Sequence, residues 1–397
     1  MSRLSDRLLS MEESATIAMS QKSRELKAQG KDVISLSLGE PDFFTPDFVK
    51  DAAKKAIDDN FTKYTPVPGF EDLKEAIVEK FKRDNNLTYN TNQIVVSTGA
   101  KQSIANAVMC LINPGDEVLI PAPYWVSYIE IVKVAGGIPK IVQATIEDDF
   151  KITAEQLEKN ITDKVKMIVF STPCNPTGSV YSKEELESLA KVIAKHKHLT
   201  VISDEIYEHI NFVGKHESLA QFPEVYDQVI TVNGVSKAWA MTGWRLGYIG
   251  APKDIAAACG KIQGQFTSGT SSITQKASIA ALKKDPSFLK SMNEAFRSRR
   301  KLVLNKLRNM DGVEVNEPEG AFYFFPDVSS FFGKKYDGKA IENATDLSMY
   351  LLENALIAVV TGEAFGSPNC IRISYATDEK TLTEAMNRMD NALKKLK

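Results

Sequence analysis

The sequence predicts an α/β protein built on a mostly parallel sheet, with a smaller α+β unit beside it, and three observations carry that expectation. From about residue 94, short β-branched runs end in small or polar residues and give way to a helical period, the mark of strand-helix units on a parallel sheet. After about Lys290 the alternation stops, and a long charged helical stretch is followed by isolated strand-like pieces. The chain has 397 residues, above the roughly 250 to 300 at which one hydrophobic core stops growing, so two domains are expected.

The first clear strand is Ile94-Val95-Val96-Ser97. Thr98-Gly99-Ala100-Lys101-Gln102 then opens a helix whose apolar Ile104, Ala107, Val108 and Leu111 recur three and four apart, and Asn113-Pro114-Gly115 stops it. The next run, Glu117 to Ile120, is broken by Pro121 and Pro123. Three more follow: Met167 to Ser171, ended by Thr172-Pro173; Leu199 to Ser203, ended by Asp204-Glu205; and Val229 to Asn233, ended by Gly234. Helical stretches such as Lys183 to Lys197 separate them. Beyond Lys290, a helix carrying Arg297, Arg299, Arg300, Lys301 and Lys306 reads as a solvated face. Ala321 to Phe325 and Cys370 to Tyr375 read as strands. No repeat, low-complexity tract or Pro/Gly/Ser-rich linker divides the chain, so the two units should share a broad contact with the site between them.

Composition removes several function classes. With 43% hydrophobic and 25% charged residues the chain is ordinary for a folded soluble protein, and disorder is excluded. Its 49 basic and 51 acidic side chains, net charge -2, leave no basic excess for a nucleic acid backbone. Cys110, Cys174, Cys259 and Cys370 form no C-x-x-C pair and the four histidines have no H-E-x-x-H spacing, so neither a metal site nor a disulfide framework is expected. Ser2 to Ser20 mixes Arg3, Asp6, Arg7, Glu12 and Glu13 into its apolar residues and no run of 18 apolar residues follows. A cytoplasmic protein with no membrane contact is therefore expected.

In open parallel sheets, ligands bind beyond the carboxyl ends of the strands, and here those ends are unusually polar. Asn175-Pro176-Thr177-Gly178 follows one run, Asp204 and Tyr207 another, and Ser236, Lys237 and Arg245 a third. Singly these are a turn, a helix cap and surface charges; together they place an amide, a carboxylate, a phenol, an amine and a guanidinium at one crevice. Gly99-Ala100-Lys101 opens a helix whose unpaired N–H groups favour an anion. No G-x-G-x-x-G and no G-x-x-x-x-G-K-[ST] occurs, so dinucleotide and P-loop readings lose. Arg372, inside the apolar Ile371-Arg372-Ile373, either faces solvent or meets a carboxylate.

Asn175-Pro176-Thr177-Gly178, Asp204-Glu205-Ile206-Tyr207, Ser236-Lys237, Gly243-Trp244-Arg245-Leu246-Gly247-Tyr248 and Arg372-Ile373-Ser374-Tyr375 occur in that order. The set closely resembles class I, fold type I pyridoxal phosphate (PLP) aminotransferases, especially the bacterial and plant branch acting on aspartate or on aspartate and prephenate. The resemblance runs from about Leu4 to the C-terminus. It implies a mostly parallel seven-stranded sheet in a large domain, residues 46–290, and a small domain from both chain ends, residues 1–45 and 291–397. It also implies a homodimer with shared active sites and small-molecule amino acid and 2-oxo acid substrates.

The resemblance also implies roles. Lys237 would join the cofactor aldehyde and then move the proton at the reacting carbon. Asp204 would keep the pyridine nitrogen protonated, making the ring a better electron sink. Asn175 and Tyr207 would hydrogen-bond the ring oxygen, and Trp125 would stack on the ring. Gly99, Ala100, Lys101, Ser236 and Arg245 would hold the phosphate, with Tyr64 reaching in from the other subunit. Arg372 would clamp the substrate α-carboxylate, helped by Gly39 and Asn175. Lys101, Thr16 and Ser14 would face the distal carboxylate of an acidic substrate. L-aspartate and 2-oxoglutarate are the expected pair, and a bifunctional aspartate/prephenate enzyme is the alternative. Glu12-Glu13, standing where prephenate-active relatives often have Lys-Pro, weighs against that alternative. A PLP-binding regulator is a further alternative, although such regulators carry an added DNA-binding domain and this chain is used up by the aminotransferase pattern.

Overall fold

The computed structural model describes residues 3–397. Its centre is a seven-stranded sheet whose strands, numbered along the chain, are Ile94–Ser97, Glu117–Ala122, Ile138–Gln143, Val165–Ser171, Thr200–Asp204, Val229–Gly234 and Gly247–Gly250. They lie side by side in the order first, seventh, sixth, fifth, fourth, second, third. Neighbours are parallel except at Gly247–Gly250, which runs antiparallel to both of its partners. The five β-branched runs are all strands. The two further strands carry Pro139 in one and two glycines in the other, residues of low strand propensity that blunt the alternating pattern.

Successive residues of a strand point to opposite faces, and the core divides accordingly. Ile94 and Val96 pack with Leu119, Ile168 and Val201 on one face. Val95 packs with Ile120, Ile202 and Ile249 on the other, beneath Ile104, Ala107 and Val108 of the helix Ala100–Leu111. Both faces are thus covered, as continuous hydrophobic strands require. The helix Lys183–Ile193 shows how locally its boundaries are set: Ser182 and Glu185 form a capping box, Glu184 and Glu185 sit in the first turn, and Leu186, Leu189, Ala190 and Ile193 are buried on one stripe. It stops short of the Lys197 that the sequence pattern suggests.

The two chain ends meet away from this sheet. Ile34–Ser35 pairs in parallel with Ile357–Ala358. Ile371–Ser374 lies between Val360–Thr361 and Tyr323–Phe324 in a three-stranded antiparallel sheet, and the helices Lys290–Arg308, Ala344–Asn354 and Glu379–Leu393 belong to the same half of the chain. The charged helix is only in part the solvated face expected of it: Arg297 and Lys301 are exposed, whereas Arg299 and Arg300 turn inward. Arg299 is buried and donates both terminal nitrogens to Asp42, at 2.7 and 2.9 Å, while Arg300 donates to the Pro318 carbonyl. A guanidinium flanked by the rings of Phe43 and Phe296 keeps its stem in the core and its fork on a carboxylate, which a charge count cannot reveal. All four cysteines are free thiols, and no described helix is long and apolar enough to cross a membrane.

Gly247 is where the antiparallel strand presses on the loop after the first strand: a Cβ there would lie 2.2 Å from the Ala100 nitrogen. Gly247→Ala should therefore cost about 1–3 kcal/mol, the range for overpacking a close contact. Gly260→Ala, mid-helix with nothing within 4 Å, should be neutral or stabilise by up to about 1 kcal/mol. Paired urea denaturation curves measure both, and equal midpoints for the two variants would contradict the close approach.

Candidate active site

The carboxyl ends of the central strands open into a cavity of about 280 Å³. Ser14, Thr16, Gly39, Ala100, Lys101, Trp125, Asn175, Asp204, Tyr207, Ser236, Lys237, Arg245 and Arg372 all line it. Residues spread over more than 350 positions of sequence are thereby gathered at one wall-to-wall site.

Asp204 is the last residue of its strand and is buried. The Tyr128 hydroxyl donates to its Oδ2 at 2.8 Å and the Ile206 N–H to its Oδ1 at 3.3 Å. Burial outweighs those donors and raises its pKa to about 6. A carboxylate so placed is under-compensated, and a positive partner would stabilise its charged form. Lys237 shows the converse: burial lowers its pKa to about 8, against an opposing pull from Glu40. Its Nζ donates to the Gly39 carbonyl at 2.6 Å and lies 5.7 Å from the centre of the Tyr207 ring. The Tyr207 hydroxyl bonds to that of Tyr323 at 2.7 Å, and burial holds its proton on well above the usual phenol range.

Arg372 is buried to 2% exposure, which removes the solvent-facing option. Its Nη1 donates to Asn175 Oδ1 at 2.9 Å and its Nη2 to the Ser37 carbonyl at 2.6 Å. The rings of Tyr323 and Phe365 lie 4.6 and 4.9 Å from the guanidinium carbon, and Nε has no hydrogen-bond partner among the described residues. Burial lowers its pKa, yet a guanidinium remains charged and open to a carboxylate.

Arg245 follows a short turn of 3₁₀ helix and adopts a left-handed backbone, φ 57°. Its Nη1 donates to the Thr242 carbonyl at 2.7 Å. The guanidinium lies so close to Gly99, φ 87°, that a Cβ there would meet Nη2 at 2.3 Å. Glycine is required by both the backbone and the space. Gly99 is the N-cap of the helix Ala100–Leu111, so a cation and unpaired N–H groups share one corner of the cavity. Lys101 extends its Nζ over Trp125, 5.0 Å from the ring centre, with its pKa lowered by burial and by Arg245. Ser14 is the N-cap of the helix Ala15–Ala28 but makes no side-chain capping bond.

Tyr64 does not enter the cavity of this chain: it is 99% exposed. Several other lining residues stand in no motif of the sequence. Tyr128, whose hydroxyl donates to Asp204, lies in the first turn of the helix Ser127–Val134, three residues after Trp125, which precedes that helix; its closeness to Trp125 in sequence is the one signal it carries. Tyr323 lies within Phe322 to Phe325, an aromatic run that reads as core. Thr242 also lines the cavity.

This arrangement is that of an amine nucleophile beside a buried acid, with an anion corner at a helix N-terminus and a second, deeper guanidinium. The family described as aminotransferase class I and II matches residues 31–389, and the chain belongs to it. Three similar proteins make the relation concrete. A bifunctional aspartate aminotransferase and glutamate/aspartate-prephenate aminotransferase of Petunia hybrida is 47% identical over 99% of this chain and 83% of its own. The crystal structure of an aspartate aminotransferase from Rhizobium meliloti superposes with TM-score 0.96 at 43% identity over the whole of both chains. That of Thermus thermophilus aspartate aminotransferase with maleate gives 0.93 at 39% identity, covering 99% of this chain and 100% of that one. The chain is a PLP-dependent aminotransferase of the fold type I architecture.

The residues present fit that cofactor. The buried Asp204 favours a cation such as a protonated ring nitrogen. The Gly99 and Arg245 corner suits a phosphate, and the amine of Lys237 is kept readily deprotonated.

Burying the Lys237 ammonium costs stability below its folded pKa of about 8, and the cost disappears once pH exceeds the 10.5 of an ordinary lysine. Cofactor-free Lys237→Met should therefore resist urea better than the cofactor-free parent at pH 7, with the advantage shrinking as pH rises from 8 to 10.5. A constant difference between pH 7 and pH 10 would show that the amine is not held against its charge.

Proposed function

We propose that this chain is an aspartate aminotransferase, passing the amino group of L-aspartate to 2-oxoglutarate by a ping-pong reaction that yields oxaloacetate and L-glutamate. The observation that carries the reading is that, beside Lys237 and Arg245, the cavity holds two further separate cations, Arg372 against Asn175 and Lys101 over Trp125. A dicarboxylic amino acid has one carboxylate for each. Maleate, the ligand in the Thermus relative, is likewise a dicarboxylate.

Bound PLP supplies an aldehyde to take up the amino group and a ring to accept the electrons released at the substrate's Cα. The chain's own residues do the rest. Lys237, with its lowered pKa, would take the proton from the substrate Cα and deliver it to the former aldehyde carbon of the cofactor, and the second half of the exchange runs the same transfer in reverse. Asp204 would keep a proton on the ring nitrogen, Asn175 and the Tyr207 hydroxyl would hydrogen-bond the ring oxygen, and Trp125 would stack on the ring. Ser236, Arg245 and the N–H groups after Gly99 hold the phosphate, as a preorganised anion corner does without reorganising during reaction. Arg372 orients the α-carboxylate with Gly39 alongside, while Lys101, Thr16 and Ser14 receive the distal one.

A pair of chains, each divided into a large and a small domain, completes the reading. Tyr64, Phe44 and Phe266 are 99%, 91% and 65% exposed, and a phosphate-binding Tyr64 acts only if it belongs to a second copy's site. The division at 46–290 against 1–45 with 291–397 is supported by the pairing of Ile34 with Ile357. The bifunctional Petunia relative favours prephenate as a second substrate. Glu12, which weighs against it, lines an adjoining cavity of about 620 Å³ shared through Ser14 and Lys101.

A transamination panel tests the reading. Lys101→Ala should lower kcat/KM for aspartate by roughly 1.5–3 kcal/mol, the range for a charge-assisted hydrogen bond, while leaving alanine much less affected; Arg372→Ala should depress both. Equal losses on aspartate and alanine in Lys101→Ala would reassign that lysine to the phosphate corner, and prephenate in the same panel separates the two readings.

Mixed dimers test the sharing of sites. Combining Lys237→Ala chains with Tyr64→Phe chains should place both lesions in one site and leave the other intact, so that about half of one dimer's activity survives in the mixed species. Combining Lys237→Ala with Arg372→Ala should damage both sites. Full activity in a protein sedimenting as a monomer would overturn the shared-site arrangement.

A further inference from the structure

The strand that presents Asp204 to the cavity presents its neighbours to the opposite face, because side chains alternate along a strand. Ser203 and Glu205 are both fully buried there. Glu205 Oε1 accepts from the hydroxyls of Ser203 at 2.8 Å and Ser218 at 2.7 Å, and Oε2 meets His216 Nε2 at 2.9 Å. The Glu205 N–H continues the sheet by donating to the Val232 carbonyl at 2.9 Å. None of these groups reaches the cavity, and none has a part in the chemistry described above.

A second set of buried charges lies directly behind. Glu208 pairs with the buried Lys80, accepts from Asn85 Nδ2 at 2.7 Å and lies 3.1 Å from His209. The polar atoms of Glu205, Glu208 and His216 all fall within 4.8 Å of one another. A metal ion is not what this cluster calls for, since the Lys80 ammonium already supplies the cation at Glu208 and hydroxyl and imidazole groups surround Glu205. It is an ionic scaffold under the segment 204–208, and burying such charge is costly unless every oxygen is engaged.

We propose that Glu205 is a positioning residue for the transamination: tied to Ser203, Ser218 and His216, it fixes the strand end that carries Asp204 and adds a buried negative charge behind that carboxylate. Ser218 and His216 come after Tyr207 in sequence, so the same bonds close the chain segment 205–218 on itself and hold both ends of the turn that bears the ring-binding residues. The electrostatic part has a definite sign. Glu205's field makes Asp204 hold positive charge more strongly, which favours the protonated ring nitrogen that Asp204 faces in the reading above, on which this inference rests.

The test uses holoenzyme loaded with PLP carrying ¹⁵N in the ring. In Glu205→Gln the ring-nitrogen resonance should move toward the position of a neutral pyridine, and kcat for aspartate should fall at least tenfold with KM changed less than twofold. Ser218→Ala and His216→Gln keep the carboxylate but loosen it, so each should shift the resonance in the same direction with a two- to fivefold loss of kcat. If Glu205→Gln does not fold, these two variants carry the test. An unmoved resonance and parental kcat in the variants that fold would overturn the role of Glu205. A parent holoenzyme that fails to transaminate aspartate would overturn the functional reading instead, and the two failures are distinguishable in one experiment.

Discussion

Asp204 sits buried at the end of a central parallel strand, and among the described residues its carboxylate accepts hydrogen bonds from the Tyr128 hydroxyl and the Ile206 N–H alone, too little to offset its burial. That imbalance organises its surroundings. Strands flank it on both sides, so its position is held by the ladder to Val232 and to Ser171. Charge compensation has to come from the cavity, because the opposite face of the strand is occupied by another carboxylate, Glu205. A site that discriminates in favour of a cation at one fixed point follows from the sheet and its buried acids before any ligand is considered.

The single antiparallel strand has a corresponding influence on the anion corner. Because Gly247–Gly250 returns between the first and sixth strands, the residues just before it, including Arg245, are delivered to the loop that opens the helix Ala100–Leu111. The approach is so close that Gly99 and Gly247 both stand where a methyl group would strike a neighbour. The anion corner is therefore a consequence of topology enforced by two missing side chains.

The segment 37–45 crosses the opposite wall and is tied down at several points. Arg372 takes the Ser37 carbonyl and Lys237 the Gly39 carbonyl. Arg299 takes Asp42 in a bidentate pair. The Thr45 hydroxyl donates to the Ala240 carbonyl at 2.7 Å and accepts from Trp244 Nε1 at 3.1 Å. One short stretch of chain thus links the helix Lys290–Arg308, the amine and the deep guanidinium. The basic residues of that helix are partly structural for this reason, and Arg299 earns its burial through Asp42 and two aromatic faces.

The strands with unbroken β-branched runs, the opening of the Ala100 helix and the cluster of polar residues at the strand ends were legible in the sequence, because periods of 2 and 3.6 and the strand-end rule depend only on near neighbours in the chain. The ordered motifs from Asn175 to Arg372 carried the family as well. What the tertiary structure decided are matters of distance across the fold. Arg372 binds a carbonyl 335 residues away, Tyr128 meets Asp204 across 76, and Arg299 finds Asp42 across 257. Whether a charge is solvated or buried is set by what the folded chain brings opposite it, and no local pattern encodes that partner. Tyr64 marks the same limit, since the folded chain leaves it in solvent although its sequence context suggested a place in the site.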